Sequence, residues 1–193
     1  MNIRNILCSC WVCIFCFVLS VPVSGAGPVS IKAGGHINME LFYDSRQVIS
    51  AREGNAILFP APLISDDYGN DINSNPSLTF SLLTSRLNAM ATGPELFGAK
   101  ATGFVEIDFF GTSPDKYNLV RLRHAWVSLS WPDKSILAGQ YWHPLFVTSC
   151  YPGMITFGAA VPYHVLNRAP QIRYSQTLGN LTLSGMLVMQ NDF

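Results

Sequence analysis

Apolar and polar side chains alternate along residues 31–43 of this 193-residue chain. Every second residue of this stretch is apolar or glycine, in the order Ile31, Ala33, Gly35, Ile37, Met39, Leu41, Tyr43. The residues between them are mostly polar, and they include Lys32, Asn38 and Glu40. A β-strand sends successive side chains to opposite faces, so this pattern predicts a strand between an apolar and an aqueous surface. It is longer than the usual strand of about five or six residues.

Residues 99–110 show the same alternation of apolar and polar side chains. Ala99, Val105, Ile107 and Phe109 belong to an apolar series, whereas the intervening positions include Lys100, Glu106 and Asp108. Further strand patterns cover 78–91, 117–131, 135–142, 168–176 and 181–190, which makes seven predicted strands. A phase shift at Leu82-Leu83 indicates a bulge. The register of 117–131 stays open, because placing Arg121 and Arg123 on the aqueous face sends Leu122 and Trp126 to lipid, but also His124.

The connections between the predicted strands differ in length. Short turns are predicted at 93–95, 132–133 and 177–180, whereas residues 45–77 and 145–167 are long loops. Short periplasmic turns and longer extracellular loops are typical of outer-membrane barrels. The sequence therefore predicts an all-β fold, an antiparallel transmembrane β-barrel whose first strand enters from the periplasm.

The first 26 residues have the features of an export signal. One positive charge at Arg4 precedes an uncharged apolar run that ends before Pro22, and Ser24 and Ala26 are the small residues of a cleavage site. The run is short for the about 20 residues of a membrane helix. Four of the five cysteines lie in this segment, so only Cys150 remains after cleavage.

Composition supports the barrel and argues against other classes. Only 12% of the residues are charged, against about 25% in soluble domains. The formal net charge of zero gives no reason to expect nucleic-acid binding. Seven strands in lipid would leave unpaired backbone edges, so we expect residues 27–193 to be the N-terminal portion of a longer barrel.

Several motifs resemble Gram-negative porins, in particular the DcaP-like and phosphate-selective groups and related porins of Bacteroidetes. They are Arg121-Leu122-Arg123-His124-Ala125-Trp126-Val127, Ala138-Gly139-Gln140-Tyr141-Trp142, Pro170-Gln171-Ile172-Arg173-Tyr174, Thr92-Gly93-Pro94-Glu95-Leu96 and Gly98-Ala99-Lys100-Ala101-Thr102-Gly103. The resemblance implies 16 or 18 strands, a trimer, and passive diffusion of small solutes. It also implies an inward-folded third loop over residues 145–167, but this segment contains no charged residue to supply a constriction.

The candidate pore-lining residues are the polar members of the alternating strands: Lys32, Asn38, Glu40, Lys100, Glu106, Asp108, Arg121, Arg123, Arg173. Charges on a pore wall set ion preference, although such residues also simply solvate the wall and pair with one another. Arg121 and Arg123 form a small basic patch that hints at weak anion preference.

Aromatic residues near predicted strand ends or on outward faces are read as an interfacial girdle. They are Tyr43, Phe109, Trp126, Trp131, Tyr141 and Trp142. Stacking against sugars is the alternative role.

Two other functions compete with a porin. A lipase-like barrel enzyme would need a serine, a histidine and an orienting acid, but no G-x-S-x-G elbow or suitably spaced acid is present. No metal or cofactor motif occurs either. A secreted β-sandwich that binds carbohydrate or protein would need a second sheet over the apolar face.

Overall fold

A computed structural model describes residues 27–51, 56–111, 116, 119–150 and 167–189. The strands in these residues are β1 (Ser30–His36), β2 (Glu40–Asp44), β3 (Val48–Ala51), β4 (Ala56–Pro60), β5 (Ser77–Ser81), β6 (Arg86–Leu96), β7 (Ala99–Asp108), β8 (Arg121–Ser130), β9 (Lys134–Trp142), β10 (Arg168–Leu178) and β11 (Leu181–Val188). A single 3-10 turn, Thr148–Cys150, is the one helical element among them. No helix in the described ranges is long and apolar enough to cross a membrane.

Seven strands form the main sheet, in the order β1-β6-β7-β8-β9-β10-β11. Every neighbouring pair in it is antiparallel. The predicted all-β class and seven-stranded antiparallel sheet are thus confirmed. Within the described residues the sheet is open, with β1 and β11 at its edges.

The first predicted strand is interrupted rather than continuous. β1 pairs with β6, but β2 pairs with β5 in a separate two-stranded ribbon, and the breaks at 37–39 and 82–85 face each other. Asn38 spans the gap: its backbone N–H donates to Ser85 Oγ (3.0 Å) and its Nδ2 to Thr84 Oγ1 (2.7 Å). The expected bulge at Leu82-Leu83 is therefore a break, in which side chains replace the ladder bonds.

The connection between β2 and β5 is not all loop, so that prediction was wrong in part. It contains the β3–β4 hairpin, and the segment between β4 and β5 is held by hydrogen bonds to two aspartates, Asp66 and Asp71. Hydrogen bonds from Asn70, above all its backbone N–H, lower the pKa of Asp66 below the ordinary value. Partial desolvation acts to raise the pKa of Asp71, but the backbone N–H of Ile64 and the charge of Arg46 are among the interactions that outweigh it and lower the pKa.

The predicted turn at 93–95 is also misplaced. These residues lie inside β6, where the pairing with β7 shifts between Thr92 and Glu95. Pro94 cannot donate a ladder bond, and such an irregularity is where a strand accommodates proline. The reversal occurs instead at Phe97 and Gly98, whose φ angles are 54° and 72°.

A bulge in β8 settles the register that the sequence left open. The pairing of β7 with β8 shifts by one residue beyond Glu106, and Arg123 is the extra residue. A bulge places two consecutive side chains on one side of the sheet. Arg123 and His124 therefore share a face, and Trp126 lies on that face too, whereas Leu122 lies on the other.

Gln140 compensates the backbone groups that this bulge disturbs. Its Nε2 donates to the carbonyl oxygens of Leu122 (2.9 Å) and Arg123 (3.0 Å). A bulged residue loses its ladder partner, and unpaired carbonyls away from water are costly. This contact explains why a polar side chain occurs among apolar neighbours such as Ala138.

The two faces of the main sheet are chemically opposite. We call one the apolar face, and its exposed members are Ile31, Leu87, Val105, Leu122, Val127, Ile136, Ile172, Leu183 and Leu187. We call the other the polar face, and it carries the members of the polar series, including Glu106 and Asp108. Burial is inverted relative to a water-soluble protein, because Asp108, Arg123 and His124 are buried while Leu187 is 76% exposed.

Gly139 is a position where the sheet requires glycine. Its φ is 131°, and an added Cβ would collide with the Ala125 carbonyl oxygen and lie 2.6 Å from Trp126 Cα. Gly139→Ala should therefore lower the free energy of unfolding by about 1–3 kcal/mol. The measurement is the urea midpoint of the protein folded in detergent.

Gly103→Ala is the matched control, because the nearest atom to its added Cβ is Val127 Cγ1 at 3.9 Å. Its free energy of unfolding should change by no more than about 0.5 kcal/mol. Equal losses in the two variants would contradict the assigned backbone conformation of Gly139.

Candidate functional site

The polar face has two ends that differ in chemistry. We call one the long-loop end, where the connections are 45–76, 109–120 and 143–167, and the other the short-turn end, where they are 97–98, 131–133 and 179–180. Charged side chains gather at the long-loop end. The short-turn end carries paired hydroxyl groups, among them Ser175–Ser184 (2.8 Å) and Thr177–Thr182 (3.3 Å).

An arginine–carboxylate network, formed by Glu106, Asp108, Arg121 and Arg123, occupies the long-loop end. Arg121 donates to both oxygens of Asp108, with its Nε at 3.0 Å and its Nη2 at 2.6 Å. Arg123 donates from Nη1 to Asp108 (2.9 Å) and from Nε to Glu106 (2.6 Å). The side chains of Asp108 and Arg123 are both only 2% exposed, so solvent screens this pairing little.

Cross-strand register assembles this network. Asp108 is the direct partner of Arg121, and the two carboxylates lie two residues apart on one face of β7. All four residues were predicted to line the wall, and the structure brings them together. However, two carboxylates balance two guanidinium groups, so Arg121 and Arg123 do not form the unpaired basic patch that the sequence suggested.

Positive charge without a carboxylate partner comes from other arginines. Arg168 and Arg173, both on β10, form no ion pair within the described part of the chain. The guanidinium of Arg168 lies over the Trp142 ring, with Cζ 5.1 Å from its centroid. Arg173 lies 5.2 Å from the centroid of Tyr141 and donates only to neutral groups, the Gln171 side chain and the Trp142 carbonyl.

Arg86 adds a third such charge. It is the direct β6 partner of Asp108, yet it lies in no ion pair among the described residues, and its buried Nε has no hydrogen-bond partner there. Arg86 and Arg168 were not among the residues that the alternation predicted to line the wall. Both begin a strand at the long-loop end, and alternation carried back from Asn88 would have placed Arg86 on the polar face.

An aromatic row crosses the polar face on three neighbouring strands. It consists of Phe104, Trp126 and Tyr141, with ring centroids 5.5 Å apart for the first pair and 6.1 Å for the second. Each ring is partly exposed. The prediction that Trp126 and Tyr141 belong to an interfacial girdle was wrong, because the bulge in β8 turns Trp126 to the polar face.

Gly139 makes room for this row. It is the direct partner of Trp126 on β9 and has no side chain on the polar face. Next to the row, His124 packs against Tyr141 and Trp142, with centroids 5.6 and 5.0 Å away. Trp142 is thus also part of the packing of this face rather than of a girdle.

The remaining predicted lining residues are dispersed. Lys32 is exposed on edge strand β1, and Lys100 is exposed at the short-turn end. Asn38 lies in the break between β1 and β2, where Thr84 also donates to Glu40 (3.4 Å). The predicted inward-folded loop lies largely outside the described residues, since 151–166 are not among them.

Comparison with known proteins supports the fold. No family model matches the chain, and no characterised protein matches it in sequence. The crystal structure of the outer membrane channel DcaP of Acinetobacter baumannii is similar, with a TM-score of 0.51 and 21% identity over 83% of this chain. The chain spans 41% of that channel's length. At this identity the likeness shows a porin-like fold and not a particular family.

Asp108 should be the residue on which the network depends. Asp108→Asn leaves Arg121 without a carboxylate and Arg123 with only Glu106, and breaking a buried pair costs about 3–5 kcal/mol. We expect a loss of that size in the free energy of unfolding, measured by urea titration of the detergent-folded protein. Asp133→Asn is the control, since Asp133 is exposed and its side chain accepts one hydrogen bond, from Gln176 (3.0 Å). Equal midpoints for the two variants would refute the network's role.

Proposed function

We propose that this chain builds one wall of a water-filled outer-membrane channel for passive diffusion of small hydrophilic solutes. The observation that carries the proposal is the inverted burial of the sheet, with an exposed apolar face and a packed, charged polar face. Nothing covers the apolar face among the described residues, and so large an apolar surface is unfavourable in water. Lipid removes that cost, while the polar face serves the aqueous side.

The proposal includes the cellular setting that the sequence indicates. Residues 1–26 serve as an export signal, the protein resides in the outer membrane of a Gram-negative bacterium, and residues 27–193 are the N-terminal part of a barrel. The resemblance to DcaP-like and phosphate-selective porins further suggests a homotrimer. The fold shared with an outer membrane channel supports this setting.

The charge balance of the polar face supports a preference for anions. Glu106 and Asp108 are matched by Arg121 and Arg123. Three further arginines, Arg86, Arg168 and Arg173, pair with no carboxylate among the described residues and add positive charge near the long-loop end. Fixed charge on a channel wall raises the local concentration of ions of opposite sign.

The assignment of the two faces can be tested on β7. Val105→Arg places a charge at the centre of the apolar face, which costs about 2–4 kcal/mol near the bilayer midplane. Thr102→Arg, on the polar face of the same strand, should cost far less, because that side chain meets water. Folding into lipid vesicles, followed by heat-modifiable gel mobility, gives both values. If Thr102→Arg were the more damaging change, the faces would be reversed.

The channel and its selectivity can be tested in planar bilayers. The full-length protein should conduct, and the double variant Arg168→Gln/Arg173→Gln should lower the anion-to-cation permeability ratio by about twofold or more, because unpaired wall charges set ion preference. The ratio is obtained from the reversal potential in a salt gradient.

Lys134→Gln is the charge-matched control, since Lys134 is an exposed cation at the short-turn end, over the Trp131 ring. It should leave the ratio near that of the unmodified protein. An absence of conductance from folded full-length protein would reject the channel. An unchanged ratio in the double variant would reject the role of the two arginines alone.

A further inference from the structure

We propose that Gln171 is a positioning residue for ion selection, because it holds the guanidinium of Arg173 at one place on the polar face, where the charge acts on passing ions. The inference deepens the proposed function and rests on it, since it takes the polar face to be the aqueous side of a channel. Both residues belong to β10, and because they lie two residues apart, their side chains share that face.

Gln171 is buried, with only 5% of its surface exposed, and its amide has one orientation. Its Nε2 donates to the carbonyl oxygens of Tyr141 (3.1 Å) and Trp142 (3.0 Å), and the carbonyl oxygen of Ala169 lies at 3.2 Å. The first two carbonyls lie at the end of β9, beyond Gln140, the last residue of that strand that pairs with β8. Only the nitrogen of a glutamine amide carries donors, so these acceptors fix which way the amide faces.

This orientation places the amide oxygen of Gln171 against Arg173. Oε1 accepts from Nε (3.1 Å) and Nη2 (2.8 Å) of Arg173, and the same Nη2 donates to the Trp142 carbonyl (3.0 Å). The guanidinium carbon lies 5.2 Å from the centroid of the Tyr141 ring. Three hydrogen bonds and a ring contact therefore hold the guanidinium, while its Nη1 donates to none of the residues that the structure describes.

The groups that hold Arg173 are all uncharged, and Arg173 forms no ion pair within the described ranges. By contrast, Arg121 and Arg123 are held by Asp108 and Glu106, whose charges balance theirs. Gln171 thus fixes the place of a positive charge without cancelling it. A half-buried charge at the wall is screened less than one on a side chain free in water, so holding Arg173 strengthens its effect on ions.

A double-mutant cycle on the full-length protein in planar bilayers tests this role. Arg173→Gln should lower the anion-to-cation permeability ratio by about 1.5-fold, because it removes one wall charge. Gln171→Met keeps a side chain of similar length but removes the amide donors and the amide oxygen. In the Gln171→Met background, Arg173→Gln should change the ratio by no more than about 1.1-fold, since water screens the released guanidinium.

Gln140→Met is the matched control for the structural part of this change. As Gln171 does, Gln140 donates from Nε2 to two consecutive carbonyls of the neighbouring strand, but at the bulge of β8. In this background Arg173→Gln should still lower the ratio by about 1.5-fold, because sites without shared partners act independently. If Arg173→Gln had its full effect in the Gln171→Met background as well, the proposal would be overturned.

Arg173→Lys decides the question if Gln171→Met does not fold. Lysine keeps the charge but lacks the planar fork through which Gln171 Oε1 accepts two bonds. The permeability ratio should therefore fall toward that of Arg173→Gln. A ratio equal to that of the unmodified protein shows that the place of the charge is unimportant and overturns the proposal.

The mobility of Arg173 is measured without conduction, by ¹⁵N NMR relaxation of its Nε–H group in the detergent-folded protein. The order parameter should lie near the rigid-backbone value of about 0.85 and fall below about 0.6 in Gln171→Met. A mobile Arg173 in the unmodified protein would overturn the positioning. A folded protein that does not conduct rejects the channel and the selective role with it, whereas a conducting protein without coupling in the cycle rejects this inference and keeps the channel.

Discussion

Asp108 accepts charge-assisted bonds from two arginines of the neighbouring strand, and the polar face is organised around this interaction. Arg121 and Arg123 reach it because they lie two residues apart, on the same side of β8. The bulge that follows keeps His124 on that side and brings Trp126 there as well. One irregularity thus joins the buried charges to the aromatic row, and neither group would have its present neighbours in an unbroken strand.

Inverted burial distinguishes this sheet from the sheets of water-soluble proteins. The buried side chains of a water-soluble protein are mainly apolar, whereas here Asp108, Arg123 and Gln171 are buried and the apolar face is open. Backbone pairing in an antiparallel sheet satisfies the polar groups that lipid cannot. Even the polar Gln140 fits this scheme, because it serves the two carbonyls at the bulge.

Pairing decides which arginines can act on a solute. Arg121 and Arg123 are engaged by carboxylates, so they hold the wall together more than they attract anions. Arg168 and Arg173 lie over Trp142 and Tyr141 and pair with no carboxylate in the part of the chain that the structure describes. The same residue type therefore serves a structural role in β8 and, in the proposed channel, attracts anions from β10.

Alternation by itself determined the all-β class, the seven main strands and the two faces of β1 and β7, because side-chain direction in a strand is a local property of period two. For the same reason it gave Glu106, Asp108, Arg121 and Arg123 as candidate lining residues, although it left the register of residues 117–131 open. It did not reveal the break at 37–39, the β3–β4 hairpin, the bulge at Arg123 or the neutralisation of the arginine pair. Those features depend on which strands pair and in which register, and pairing is a non-local property that only the tertiary structure decides.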